Sequence, residues 1–66
     1  MTTVGNIDYK KIENRQFVTV DTDKATDIIS ELTQKQVPFS GRYDDSRLTL
    51  HFSQKDWDIV QNALSG

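Results

Sequence analysis

The sequence predicts an α+β fold of order βαββα, in which a three-stranded sheet of order 1-3-2 carries two helices packed on one face. Three segments combine β-branched and aromatic residues with alternating polarity, two others repeat apolar residues at helical spacing, and short polar turns separate them. With 66 residues the chain is sized for a single domain. We expect residues 1–13 to be a polar N-terminal arm and residues 14–66 to form the domain.

The first strand is predicted at residues 15–20, where β-branched and aromatic residues suit a pleated, half-buried surface. Val18 and Val20 share one face of this strand, and Phe17 and Thr19 share the other. Both pairs contain apolar side chains, so periodicity leaves open which face is buried. The arm before this strand is interpreted either as frayed or as a short turn that lays Tyr9 and Ile12 over one end of the core.

The first helix is predicted over residues 23–36, after the capping chemistry of residues 21–23. Apolar residues recur at i, i+3, i+4 and i+7, which places them on one stripe. The stripe consists of Ala25, Ile28, Ile29 and Leu32. Glu31 and Lys35 form a favourable i,i+4 pair, and Pro38 prevents the helix from continuing.

A hairpin follows, with strands at residues 37–43 and 47–52 joined by the turn residues 44–46. Pro38 has no amide hydrogen, which places the first of these strands at a sheet edge. Gly41 indicates a bulge or a close approach of another part of the chain. The return strand alternates cleanly and is predicted to lie in the middle, paired with the first strand.

The second helix is predicted after residues 53–56, which fit the Ser-x-x-Asp form of a capping box. Trp57, Val60 and Leu64 follow at i, i+3 and i+7, and the helix ends at the last two residues. Trp57 is the largest side chain available to so small a core, and we expect it to be buried there.

Two helices on one face leave the other face of the sheet bare, and the first strand is left as an open edge. We expect contacts with a partner on this bare face. The candidate residues on this face are Phe17, Thr19, Ser40, Arg42, Arg47, Thr49 and His51, and Tyr43, whose face the pattern leaves open, is added as an exposed anchor.

Composition excludes several classes of site. No cysteine is present, which excludes disulfides and thiolate metal sites, and a single histidine does not make a zinc site. The turn at Asp44 and Asp45 has too few further oxygen ligands for calcium and is predicted to be solvated. No metal or cofactor is therefore expected. Domains of this size often need a partner or a second copy for stability, so a homodimer through the open sheet is one alternative and a modestly stable single domain is the other.

Charge and hydropathy give further expectations. The net charge is −2 and the basic residues are scattered, which disfavours direct binding of nucleic acid. No apolar run approaches the ~20 residues of a membrane span. The first residues lack the pattern of a signal peptide, and we expect a cytoplasmic location.

Two polar groupings are candidate sites. His51 acting as a general base requires a nucleophile and an orienting acid, for which Ser40 and Asp44 are the neighbouring candidates, and the simpler interpretation is a solvated histidine. Arg42 and Arg47 across the hairpin are able to hold a phosphate or carboxylate, and the simpler interpretation is that they protect an edge strand from aggregation. We therefore expect no enzyme activity.

Residues 13–64, with the segments NRQFVTVDTDKATDIISEL and VPFSGRYDDSRLTLHFS, resemble small modules in accessory proteins of conjugative and phage-like mobile elements of Gram-positive bacteria. The shared feature is a strand and helix leading into a Phe-Ser-x-x-Tyr hairpin, which is residues 39–43 here. The resemblance implies no catalytic residue. It implies a mobile-element setting, in which small acidic proteins often block a host protein such as a CRISPR-type defence nuclease.

The sequence thus leads to two expectations of different classes. The first is a non-enzymatic protein-binding module, as an inhibitor of a host defence complex. The alternative is a dimeric domain that binds a small anion or a nucleotide through Arg42, Arg47 and His51.

Overall fold

The computed structural model describes residues 3–65, and the order of elements in it is β1 (Thr3–Gly5), β2 (Arg15–Asp21), α1 (Thr22–Gln34), β3 (Phe39–Asp44), β4 (Arg47–Ser53) and α2 (Trp57–Ser65). Single turns of 3-10 helix occupy Tyr9–Lys11 and Gln54–Asp56. The protein is a small α+β domain with two helices and an antiparallel sheet. Gly66, the predicted end of the second helix, and Met1 and Thr2 of the arm lie outside the described residues.

The sheet has four strands in the order β1-β3-β4-β2, which corrects the predicted three. The predicted pairings of β2 with β4 and of β3 with β4 are present. The additional strand comes from the arm, where Thr3, Val4 and Gly5 pair with Arg42, Gly41 and Ser40. Three residues are too few to show strand periodicity, so the sequence pattern did not reveal β1.

Because β1 pairs with β3, the prediction that Pro38 marks a sheet edge is wrong. Pro38 precedes β3 rather than interrupting it, so its missing amide hydrogen removes no bond from the ladder. Gly41 admits the extra strand: a Cβ atom there would lie 2.9 Å from Val4 Cγ2 and 3.0 Å from Leu48 Cδ1. The register of β3 with β4 is continuous through Gly41. Of the two alternatives predicted for Gly41, the close approach is therefore present and the bulge is not.

The core lies between one face of the sheet and both helices. Ala25, Ile28 and Leu32 of α1 and Val60 of α2 are buried against alternate residues of β3 and β4. The large buried hydrophobic residues of the sheet are Phe39, Leu48, Leu50 and Phe52, and Val18 and Val20 pack against them from β2. Neither helix within the described part of the chain is long and apolar enough to cross a membrane.

Helix α1 ends before Pro38, and backbone hydrogen bonds at its C-terminus form the cap. Gln36 adopts a left-handed conformation with φ 58°, its amide donates to the Thr33 carbonyl, and the Val37 amide donates to the Leu32 carbonyl at 2.9 Å. This pair of bonds is the Schellman motif, which usually has glycine where Gln36 stands. The predicted ion pair of Glu31 with Lys35 is present at 2.7 Å.

Two predictions about the second helix are wrong. Ser53 adopts the extended cap conformation but makes no side-chain cap bond, and a turn of 3-10 helix separates it from α2. Trp57 is 41% exposed rather than buried, and its ring lies 5.8 Å from the Phe52 ring at the margin of the core. The largest buried side chains among the described residues are instead Phe39 and Phe52.

Candidate functional site

The face of the sheet turned away from the helices, called here the open face, contains seven of the eight predicted contact residues. Cross-strand register arranges them in rows: Ser40, His51 and Phe17 form one row, and Arg42, Thr49 and Thr19 form the next. Arg47 lies in a third row, between Asp44 and Asp21. The eighth residue, Tyr43, is on the opposite face and packs against the core.

The arm crosses part of the open face, and hydrogen bonds of Asn6 hold it against the start of β3. The Asn6 side chain donates from Nδ2 to the Val37 carbonyl at 3.1 Å and accepts from the Phe39 amide at 3.0 Å. Its own amide donates to the Phe39 carbonyl at 3.1 Å. Gly5 makes this path possible, since its φ is 132° and a Cβ there would lie 2.4 Å from the Phe39 carbonyl oxygen.

Beyond Asn6 the arm brings Tyr9 onto the open face. The Tyr9 ring lies 5.6 Å from the His51 ring, and the Phe17 ring lies 6.1 Å from His51 on the far side. The Arg15 guanidinium sits 4.7 Å from the centre of the Tyr9 ring and donates to the Tyr9 carbonyl at 3.1 Å. We call Tyr9, His51 and Phe17 the aromatic row. The face predicted to be bare is therefore partly covered, over His51 but not over Phe17, which is 65% exposed.

A groove of about 730 Å³ runs between the arm and the sheet. Ile7, Asp8 and Tyr9 line it from the arm, and Ser40, Arg42 and His51 line it from the sheet. It combines apolar, hydroxyl, imidazole, guanidinium and carboxylate groups, a mixture found in sites that bind a side chain or a small ligand.

His51 lies at the bottom of this site in an unfavourable setting for a positive charge. Burial lowers the pKa of its imidazole below the usual 6.5, and the positive charges of Arg15 and Arg42 lower it further. The imidazole is therefore neutral at pH 7. Its Nδ1 atom is buried and has no hydrogen-bond partner within the described chain.

Ser40 and Asp44, the two predicted partners of His51, lie at different distances from it along the sheet. Ser40 is its cross-strand neighbour, yet the hydrogen bonds among residues 3–65 include none between the two side chains. Asp44, the other candidate, lies opposite Arg47, four residues along β4 from His51 and thus about 13 Å away at about 3.3 Å per residue. No group of three or more potential metal-ligating side chains occurs in the same range.

Arg42 and Arg47, which were predicted to hold an anion together across the hairpin, do not face each other. Arg42 is opposite Thr49, and Arg47 is opposite Asp44. The guanidinium that joins Arg42 beside His51 is that of Arg15, which was not among the predicted site residues. Alternation within β2 placed Arg15 on the same face as Phe17, so a signal for it existed. The alternative of a short turn in the arm is the one observed, since a 3-10 turn at Tyr9–Lys11 precedes the buried Ile12. The sequence did not indicate that Tyr9 lies beside His51 or that Asn6 binds β3, because both depend on the path of the arm.

Fold and groove together define a small α+β domain with one partly covered sheet face. Comparisons of the chain with protein-family models, with curated proteins and with solved structures find no significant match.

Proposed function

We propose that this domain is a non-enzymatic protein-binding module that engages its partner through the open face and the groove. The observation that carries the proposal is Phe17, which is 65% exposed in the middle of a β-strand and extends an aromatic row of which His51 is half-buried. Exposing so large an apolar side chain has no benefit for folding. An exposed aromatic residue beside a polar groove is typical of a binding surface.

The charges of the site indicate the chemistry of the partner. Arg15 and Arg42 lie near His51 and make this part of the open face positive, although the whole chain carries −2 and Asp8 lines the arm side of the groove. A segment that offers an acidic side chain to the groove and an apolar side chain to Phe17 is the best complement. Arg15 is already held against Tyr9, which lowers the conformational entropy lost when it binds a carboxylate.

The biological setting is proposed from the resemblance of the sequence to mobile-element modules. In that setting the partner is a host protein of the bacterial cytoplasm, and a CRISPR-type defence nuclease complex is the candidate target. The small size of the chain and its exposed aromatic residue are compatible with an inhibitor that works by occupying a surface. Direct contact with nucleic acid is not part of the proposal, because the basic residues are scattered along the chain and its net charge is −2.

A capture experiment with matched variants tests the proposal. Tagged wild-type protein, Phe17→Ser and Arg42→Glu are incubated with a Gram-positive bacterial lysate, and bound proteins are identified by mass spectrometry. Lys35→Glu serves as the control, since it makes the same charge change as Arg42→Glu at an exposed position on the helix side.

We expect a partner in near-stoichiometric amount with wild type and with Lys35→Glu, and at least about tenfold less with either open-face variant. Equal recovery by all four proteins would place binding elsewhere and refute the role of the open face. Recovery of no stoichiometric partner from lysates of several species would count against a protein-binding function.

A second candidate, binding of a small anion or nucleotide, is favoured by the two guanidinium groups beside His51. The sequence alone suggested Arg47 for this role, but Arg47 lies too far along the strand, so the candidate group is Arg15, Arg42 and His51. Titration of inorganic phosphate and ATP, followed by the His51 ring protons in NMR spectra, decides it. A saturable shift that Arg42→Glu abolishes supports the anion site, and unchanged spectra at millimolar ligand exclude it.

A further inference from the structure

Strand β2 is an edge strand with few of the features that prevent an edge strand from pairing with another molecule. It is the last strand of the order β1-β3-β4-β2, and within residues 3–65 no strand pairs with its outer side. Its seven residues contain no proline, glycine or lysine, and its register with β4 runs unbroken from Arg15 to Asp21. An edge of this length and regularity is a template for pairing with another strand.

The two ends of β2 have opposite charges on the same face. Arg15 and Asp21 are both exposed and both belong to the open face, six residues apart. The ion pair found among residues 3–65 is that of Glu31 with Lys35, so neither end has a charged partner within 4 Å there. Asp21 also makes no side-chain cap bond to α1, although it occupies the cap position. Its carboxylate is available to another molecule.

We propose that two copies of the chain pair through β2, antiparallel and centred on Val18, to form one continuous sheet from the two four-stranded ones. In this register Arg15 of each copy faces Asp21 of the other, so a dimer contains two such ion pairs. Phe17 faces Thr19, and Val18 faces Val18 across the axis. Facing residues are equally far from Val18 on opposite sides of it, so their side chains lie on matching faces.

Other arrangements of the same two strands lose this match. A parallel pairing puts Arg15 against Arg15 and Asp21 against Asp21, which is repulsive at both ends. A slip by one residue turns the core face of one copy to the open face of the other. A slip by two residues towards the N-terminus puts Asp21 opposite Glu13. Among these arrangements, the antiparallel register centred on Val18 is the one that charge and side-chain alternation both favour.

Self-complementarity is the reason to choose a second copy as the occupant rather than a foreign strand. The sequence Arg-Gln-Phe-Val-Thr-Val-Asp is its own charge complement when reversed, as a two-fold interface requires. The dimer uses a different surface from the groove, since β1 and β3 lie at the other side of the sheet.

Charge reversal in each copy separately, followed by mixing, tests the register. Arg15→Glu and Asp21→Lys are each expected to weaken self-association by about 10- to 100-fold, because two ion pairs become two repulsions. In a 1:1 mixture of the two variants, the two substituted positions face each other with their charges exchanged, and the unchanged Arg15 and Asp21 face each other at the opposite end. Both ion pairs are thereby restored, and the mixture should form a heterodimer. Analytical ultracentrifugation over a hundredfold range of concentration measures all three species, and circular dichroism checks that each variant is folded.

Arg42→Glu and Asp44→Lys are the matched controls. They make the same charge changes on the same face, on β3 rather than on the edge, and should leave the dimer unchanged. The proposal is overturned by a wild-type chain that stays monomeric up to about 1 mM, the weakest range of specific association. It is equally overturned if the mixture of the two edge variants stays monomeric while wild type dimerises.

Discussion

Replacing Asn6 by alanine removes the side chain that fastens the arm to β3. Two hydrogen bonds are lost, from Nδ2 to the Val37 carbonyl and from the Phe39 amide to Oδ1, at 3.1 and 3.0 Å. The backbone bond from the Asn6 amide to the Phe39 carbonyl can form without the side chain. The substitution therefore tests the side-chain contribution alone.

The expected loss follows from the surroundings of these bonds. A neutral hydrogen bond contributes about 0.5–1.5 kcal/mol, so two contribute about 1–3 kcal/mol. Both bonds are only partly buried, and water can replace part of what is lost, which favours the lower half of that range. We expect the free energy of unfolding to fall by about 1.5 kcal/mol. With a urea dependence of about 1 kcal/mol per molar for so small a domain, the midpoint falls by about 1.5 M.

Urea unfolding followed by Trp57 fluorescence measures this change, since Trp57 packs against the buried Phe52. Hydrogen exchange of the Phe39 amide should also become faster, because that group loses its acceptor. Asn62→Ala is the control: Asn62 is exposed on α2, and its loss should leave the midpoint unchanged or slightly higher. A change below about 0.3 kcal/mol in Asn6→Ala, with unaltered exchange at Phe39, would refute the view that Asn6 pins the arm.

Three further predictions concern single positions. Gln36→Gly should raise the melting temperature by about 2–6 °C, because glycine adopts the left-handed conformation of Gln36 without strain; a lower value in calorimetry would contradict this. Phe17→Ser should leave the free energy of unfolding within about 0.5 kcal/mol, since Phe17 is mostly exposed; a loss above about 1.5 kcal/mol would show that it packs in the folded chain. The lowered pKa of His51 means that the unfolded chain binds its proton first as pH falls below 6.5, so stability should decrease from pH 7 towards the folded-state pKa and level off below it. His51→Gln should flatten this part of the profile, and an NMR titration midpoint at or above 6.5 would contradict it.

Local patterns sufficed for the elements with strong periodicity. The stripe of α1 and the alternation of β4 each match buried residues in the structure, and these two elements alone define which sheet face is covered. The choice between the two faces of β2, which periodicity left open, is settled by β4: Val18 pairs with Leu50 and Val20 with Leu48. Residues paired across neighbouring strands point to the same face of the sheet, so the buried side of β4 determines the buried side of β2.

What sequence reasoning missed depends on contacts distant in the chain. Strand β1 has three residues and becomes a strand because Gly41, far along the chain, leaves room for Val4. The residues around Asn6 in the sequence indicate only a loop. Its role depends on hydrogen bonds to the Phe39 amide and the Val37 carbonyl, which are more than 30 residues away. The same path brings Tyr9 over His51, so the site could be predicted as far as the open face but not as far as the groove.

Arg15 belongs to both proposed surfaces, so a substitution at Arg15 does not show which surface an effect comes from. Its guanidinium holds Tyr9 at the groove, and in the proposed dimer it also faces Asp21 of the second copy. Arg15→Glu should therefore weaken both partner capture and self-association. Asp21 lies outside the groove and Arg42 lies away from the β2 edge, so their variants separate the effects. If Asp21→Lys abolishes the dimer and also abolishes partner capture, while Arg42→Glu affects capture alone, the partner recognises the dimer and the two surfaces act as one.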